Sequence, residues 1–406
     1  MANKSNISIT TAFKYKLEMS LLIGKNYYEI PRNSVKTILI SSDYDKNNMP
    51  IIYMRIRMSS TLYNQMVLNN DRATISFRLF KFDDKSVSGV VESYIEDNFT
   101  YIMPTDPNYN EAMEQYVSGS STAYNDNADT YMEGYLALTS LKLVGDNVKL
   151  INTIVKDTDI MSIVHKFTSH MNMCIEPFDN RDHIDQMIIP PITTISKLLA
   201  YLNDQYCFYK NGYRYFRSFN TTYLLSANGN AVKEGINSFN TIIISICDPL
   251  DEKGKSNAID LDRTNHAYII YVDAKKTSIT VDKFANKQYN SIIGVDTEGN
   301  TVQEELRVPP TPDSTEKTII TRTDSLDYIY NIKRAVESVS VILTVSKTEI
   351  DSSLFTPNKE YQIKHYSSSR EYDGKYVLSY KKEVLVQQGE EYIGNILFGL
   401  RRILED

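Results

Sequence analysis

Tryptophan is absent from the 406 residues, although tyrosine occurs 30 times and phenylalanine 14 times. Cysteine is scarce: Cys174, Cys207 and Cys247 are odd in number, widely spaced and never in a CxxC pair. That leaves no basis for a disulfide framework or a zinc ribbon. A positive surplus is missing too, with 44 Lys and Arg against 51 Asp and Glu and a formal net charge of -7. A sequence-independent grip on nucleic acid needs clustered basic residues. The balance argues against a nucleic-acid binder and leaves room for a channel that DNA only passes through. Long apolar runs are lacking: stretches such as Ile242–Ile244 fall far short of a membrane span. Met1 to Thr11 is polar, without the apolar core of a signal peptide. The expectation is a chain made soluble in the cytoplasm, with no membrane anchor.

Catalytic signatures are missing as well. There is no GxxxxGK(S/T) loop, no HExxH, no GxSxG elbow and no GxGxxG after a strand. What is present is length, enough for two to four domains at roughly 100–200 residues each. Tyrosine suits half-buried strands and polar-rimmed interfaces, because its ring packs while its hydroxyl finds a partner.

The first hundred residues read as strands. Phe13, Tyr15, Leu17, Met19, Leu21 and Ile23 alternate with Lys14, Lys16, Glu18 and Ser20. A period of two sends one set to a core and the other to solvent. Val35–Ile40 is β-rich, Ile52, Met54, Ile56 and Met58 alternate again, and Ile75, Phe77 and Leu79 open another strand. A short helix is expected after Ser59–Ser60, with Leu62 and Met66 on one face. Residues 104–134, with Pro104, Pro107 and Gly119, read as an insertion loop; Tyr135–Val144 resumes as a strand.

From residue 150 the pattern changes. Ile160, Ile163, Val164, Phe167 and Met171 fall at helical spacing, capped by Thr158 or Asp159. Pro190-Pro191 is expected to stop the chain before a second helix carrying Ile195, Leu198, Leu199 and Leu202. Asn211-Gly212 reads as a hairpin turn. Strands return at Ile242–Cys247, Ala267–Val272 and Ser278–Val281. Residues 301–323 look like a linker, Leu326 to Val336 like a short helix, and Val339, Val341, Leu343 and Val345 alternate cleanly. Tyr361–His365 and Tyr376–Val386 complete the strands. The expected fold class is α+β, mainly β: two small antiparallel β-barrels linked by an α+β domain. The expected units are 1–149 (first barrel), 150–237 (α+β), 238–300 with 338–406 (second barrel), and 301–337 (linker and short helix).

Four sets of residues offer candidate chemistry. His165, His170, Cys174 and His183 offer zinc-type donors, but His165 and His170, five apart, do not align on a helix, and ordinary helix and loop roles explain them better. Asp179, Asp182 and Asp185 read as a solvated loop in preference to a cation site. Asp248, Asp251, Glu252, Asp260 and Asp262 supply carboxylates without the spacing that would single out a glycosidase pair. His266 and Ser245 lack a third catalytic member. No cofactor and no metal are expected.

One block carries a family likeness. Pro190 and Pro191 precede a helix ending near Tyr201-Leu202; Tyr206, Tyr209 and Gly212 follow at fixed spacing; an aromatic run through Phe216 and Phe219 then ends in Tyr223-Leu224-Leu225. This resembles the baseplate hub proteins of large contractile-tailed phages, with Cys207 where the pattern has Gly. The resemblance implies a non-enzymatic homotrimer whose protomers each carry two similar barrels. Six barrels then adapt a sixfold tail tube to a threefold central spike and line the DNA ejection channel. It implies tail tube, spike and other baseplate proteins as partners, DNA only in passage, and residence in the virion after assembly in the host cytoplasm. The alternatives are a receptor- or carbohydrate-binding tail protein and a tail-associated cell-wall hydrolase.

Overall fold

A computed structural model describes residues 13–44, 49–83, 91–103, 131–181, 183–206, 208–209, 212–219, 221–227, 241–247, 259–262, 267–273, 277–282, 291–295, 301–305, 318–321, 340–345, 352–365, 370 and 372–403. Seven strands come first: β1 (Phe13–Ile23), β2 (Asn26–Ile30), β3 (Val35–Asp43), β4 (Ile51–Ser59), β5 (Ala73–Asp83), β6 (Val91–Ile102) and β7 (Tyr131–Ser140). Helices α1 (Ser60–Leu68) and α2 (Leu141–Val148) follow β4 and β7. The middle holds β8 (Ile151–Asp159), α3 (Ile160–Thr168), β9 (Met173–Ile175), β10 (His183–Thr193), α4 (Ile195–Tyr206), β11 (Tyr213–Arg217) and β12 (Thr222–Ser226). Beyond it lie β13 (Thr241–Cys247), β14 (Ile259–Asp262), β15 (Ala267–Asp273), β16 (Thr277–Asp282), β17 (Ser291–Val295), β18 (Thr301–Glu305) and β19 (Thr318–Thr321). The last strands are β20 (Ser340–Val345), β21 (Glu360–His365), β22 (Gly374–Gln388) and β23 (Glu391–Arg402).

Eight strands close into an antiparallel barrel in the order β22-β3-β4-β7-β6-β5-β1-β23, with β23 pairing back to β22. Its interior is the buried half of each alternation. Tyr15, Leu17, Met19 and Leu21 from β1 meet Ile52, Met54, Ile56 and Met58 from β4, and all are at most 5% exposed. A barrel of this size is filled by side chains and has no open lumen of its own. Leu385 and Tyr392, from the other end of the chain, complete the same core.

β22 and β23 then continue past the barrel. β22 pairs with β21 up to Tyr376 and with β3 from Tyr380 onward. Its register against β23 shifts between Leu378 and Tyr380, a bulge where the strand passes from one neighbourhood to the other. A second run of eight strands forms on this extension, β14-β15-β13-β21-β22-β23-β20-β16. It contains parallel pairings, β13 with β15 and with β21. No pairing of β14 with β16 occurs among the described residues. The fold is α+β and mainly β, as expected. The C-terminal hairpin, assigned from sequence to the second region alone, serves both. Period-two patterning reveals which face of a strand is buried but not which strand lies beside it.

Helix starts are local and readable. Ser59, Ser140, Asp159 and Thr194 each accept a bond from a backbone N–H three residues on, at 3.3, 3.5, 2.9 and 3.4 Å. The cap at Ser140 ends the strand expected to run to Val144. Strand β7 begins at Tyr131, within the expected insertion, whose residues 104–130 lie outside the described residues. Pro190-Pro191 does not stop the chain: β10 runs through to Thr193, and the prolines fall where its register against β8 breaks. A two-stranded ribbon tolerates proline there because no ladder donor is needed. Gly212, at φ 78°, leads out of α4, and the hairpin partner of β11 is β12. In the stretch read as a linker, β18 and β19 flank β17 in a three-stranded sheet. The helix expected at 326–336 lies outside the described residues.

Candidate functional site at the junction of the β regions

The β11–β12 hairpin is buried on both faces, which explains its near-continuous aromatic and apolar sequence. Tyr215 and Leu224 are cross-strand partners and belong to the middle core with Leu198, Leu202 and Phe208. Phe216 and Tyr223, the next pair, point the other way. Their rings stack 5.2 Å apart, within the core of the second β region beside Phe355, Phe398 and Tyr361. Tyr44, from the end of β3, packs on Phe216 at 5.1 Å. Phe219, just past β11, meets Phe99 of the first barrel edge-on at 5.9 Å. One hairpin therefore touches all three cores.

Three arginines tie this wedge to its surroundings. Arg214 donates from Nη1 to the Leu378 carbonyl at 3.0 Å, at the β22 bulge, and lies over the Phe216 ring. Arg217, only 1% exposed, donates to the Leu143 carbonyl of α2 at 3.2 Å and to the Tyr215 hydroxyl at 2.9 Å. Asp146 lies 3.5 Å from its guanidinium. Arg401 of β23 donates to the Ala227 carbonyl just beyond β12. Guanidinium groups suit this work because a planar fork of five donors stays charged when buried.

A second polar group lies inside the junction, along β22. Lys381 and Glu383 form a buried ion pair at 2.9 Å. Tyr94 of β6 donates to Glu383 at 2.6 Å, and its hydroxyl lies 3.2 Å from that of Ser352. Tyr15 of β1 lies 3.4 Å from the same Ser352 hydroxyl, and Lys381 donates to the Ser352 carbonyl at 3.3 Å. Side chains of the barrel thus meet a segment of the second region through one network. Burial pushes the Tyr94 hydroxyl well above the usual phenol range, and the Glu383 carboxylate adds to it. Burial works to lower the Lys381 ammonium, but Glu383 and the neighbouring phenols outweigh it and hold it well above its ordinary value. Both groups stay in their protonated forms, a positive ammonium and a neutral phenol. Oxygen Oε2 of Glu383 has no hydrogen-bond partner, so the network is not fully satisfied. The arrangement can hold elements together.

The residues singled out from sequence distribute unevenly. Gly212, Phe216, Phe219 and Tyr223 lie on or beside the wedge, while Leu202, Tyr206 and Tyr209 belong to the middle core. The Tyr209 hydroxyl donates to the carbonyls of Glu176 and Leu224, the latter at 3.2 Å. Pro190, Pro191 and Tyr201 are exposed, away from the junction. The suggested metal donors do not converge. His170 faces Asp146, His183 faces Asp157, and no group of three donors that could hold a metal ion forms among the described residues. Ser245 is buried in β13; Asp248, Asp251, Glu252 and His266 lie outside the described residues. Sequence reasoning missed Arg214, Arg217, Lys381, Glu383 and Tyr94. The signal for the arginines was available, since charges inside an aromatic run demand buried partners.

No curated protein matches the chain. Several solved structures are similar. The prophage MuSo2 43 kDa tail protein from Shewanella oneidensis is 9% identical, with 95% of this chain and 96% of that one covered and a TM-score of 0.49. The tail protein from Neisseria meningitidis MC58 is 11% identical, with 95% and 97% covered and a TM-score of 0.47. The prophage tail protein gp18 from Listeria monocytogenes EGD-e is 9% identical, with 96% and 95% covered and a TM-score of 0.41. The family described as Bacteriophage PBS1 gene 109 protein matches residues 5–403. That match accords with the resemblance to phage hub proteins read from residues 188–225. With nearly its whole length matched, the chain belongs to the Bacteriophage PBS1 gene 109 protein family.

Proposed function

We propose that the chain is a structural, non-enzymatic component of a phage tail baseplate, a homotrimeric hub that joins a sixfold tail tube to a threefold central spike. The shared β22–β23 hairpin carries this reading. It makes two β-rich regions inseparable within one polypeptide, and the wedge of β11 and β12 fixes how they meet. A cyclic trimer of such a chain offers six β-rich units to a sixfold partner and keeps threefold symmetry for the other. The working units are 1–149, 150–237 and 238–300 with 338–406, the terminal hairpin belonging to both outer units. The signature residues act structurally: Gly212, Phe216, Phe219 and Tyr223 shape the wedge, and Leu202, Tyr206 and Tyr209 the core behind it, while Pro190, Pro191 and Tyr201 stay on the surface. Tail tube, spike and other baseplate proteins are its partners in the virion, after assembly in the host cytoplasm. DNA passes without being held, in keeping with a net charge of -7. No helix among the described residues is long and apolar enough to cross a membrane.

Light scattering after size exclusion tests the reading, with the protein alone and mixed with its tube and spike proteins. The expected result is a trimer, seen as a six-lobed ring in negative-stain images. A protein that stays monomeric in every mixture sinks it.

A further inference from the structure

One concavity on the described surface gathers positive charge in a chain that is acidic overall. It lies at the end of the β21–β22 hairpin and has a volume of about 410 Å³, lined in part by Lys364, Arg370, Asp373, Gly374 and Lys375. Gln362 and Lys375 are cross-strand partners, and Lys364 lies two residues beyond Gln362. The strand period therefore puts both lysines on the same outer face. Arg370 comes from the turn between the strands, where its carbonyl accepts from the Asp373 N–H at 3.1 Å. All three cationic residues are exposed. Behind them, Arg402 donates to the Asp373 carbonyl at 2.9 Å. Gly374 has φ of 150°, and a Cβ there would come within 3.2 Å of the Arg402 Nε. Glycine both takes up that backbone and lets the guanidinium close on the floor of the pocket.

Among the described residues that line it, three cations stand against one carboxylate. We propose that this pocket binds inorganic phosphate or the phosphate of a small monoester. Such a group carries about -1.5 to -2 charge at neutral pH and three acceptor oxygens. A carboxylate or a backbone phosphodiester brings only one charge. The Arg370 fork can donate to two oxygens side by side, and the lysines supply point charges. The cavity is larger than a phosphate, which leaves space for the group that carries it.

Isothermal titration calorimetry on the full chain, at fixed low ionic strength, tests this with four probes: inorganic phosphate, a nucleoside monophosphate, a short DNA duplex and an oligoglutamate peptide. Saturable one-site binding of a phosphate probe is expected. Tighter binding of the monophosphate identifies an ester as the source, and equal binding identifies the free anion. Lys364→Glu combined with Lys375→Glu weakens binding at least about tenfold. Lys166→Glu, an exposed change on α3, leaves it unaltered. Should the double variant fail to fold by circular dichroism, Arg370→Gln carries the same expectation. Absence of saturable heat from both phosphate probes overturns the proposal. So does tighter binding of duplex or peptide, or an equal loss in Lys166→Glu.

Discussion

Arg214 and Arg217 stand three residues apart, so they leave opposite faces of β11 and reach different elements, β22 and α2. Lysine at either position would replace a rigid planar fork with a tetrahedral ammonium on a flexible stem, which holds two acceptors in one plane less well. Lys381 and Glu383 show the complementary case, a pair held by its own attraction. Removing one member leaves a bare buried charge, whereas replacing both removes the desolvation cost. Lys381→Met should therefore destabilise the protein by about 3–5 kcal/mol, and Lys381→Met with Glu383→Leu should recover most of that loss. Urea denaturation of the two single variants and the double measures it; additive losses would remove the pair from the joint. Some of this was readable beforehand. Phe216, Phe219 and Tyr223 stood out by their aromatic spacing. Lys381 and Glu383 did not, because an alternating Lys-x-Glu on a strand looks like any solvated face until another sheet covers it.

At the level of elements, legibility follows distance along the chain. The ladders of β1 and β4 were plain from alternation, the start of α3 from its capping residue, and α4 from helical spacing. The double use of β22 and β23 was hidden, because their partners β1 and β3 lie at the other end of the sequence. The hairpin nevertheless carries one local mark of close packing. Tyr380 pairs with Gly399, and any Cβ at Gly399 would collide with the Tyr380 ring. An aromatic side chain lying across a glycine is a known way to hold register between strands. Gly399→Ala should cost about 1–3 kcal/mol by overpacking, and adding Tyr380→Ala should remove the collision. Thermal unfolding of both variants decides this; an unchanged midpoint for Gly399→Ala would mean the ring moves aside freely.

For the whole molecule, the consequence of shared strands is cooperativity. Leu385 and Tyr392 complete the barrel core, while Leu378, Phe398 and Leu400 of the same hairpin complete the second. Neither region can unfold without exposing strands of the other. Calorimetry should show one transition for both β regions, where independent domains would give two. Two separated peaks would show that the shared hairpin does not join the two regions into one cooperative unit. The pairing of Lys14 with Ile393 also sets a timetable. On the ribosome, the earliest strands emerge long before the segments that seal them, and such distant pairing is slow to form. The barrel must wait, edges open, until β22 and β23 have been made. A copy cut short before β23 can never finish it, so such defective subunits are marked by their own exposed edges.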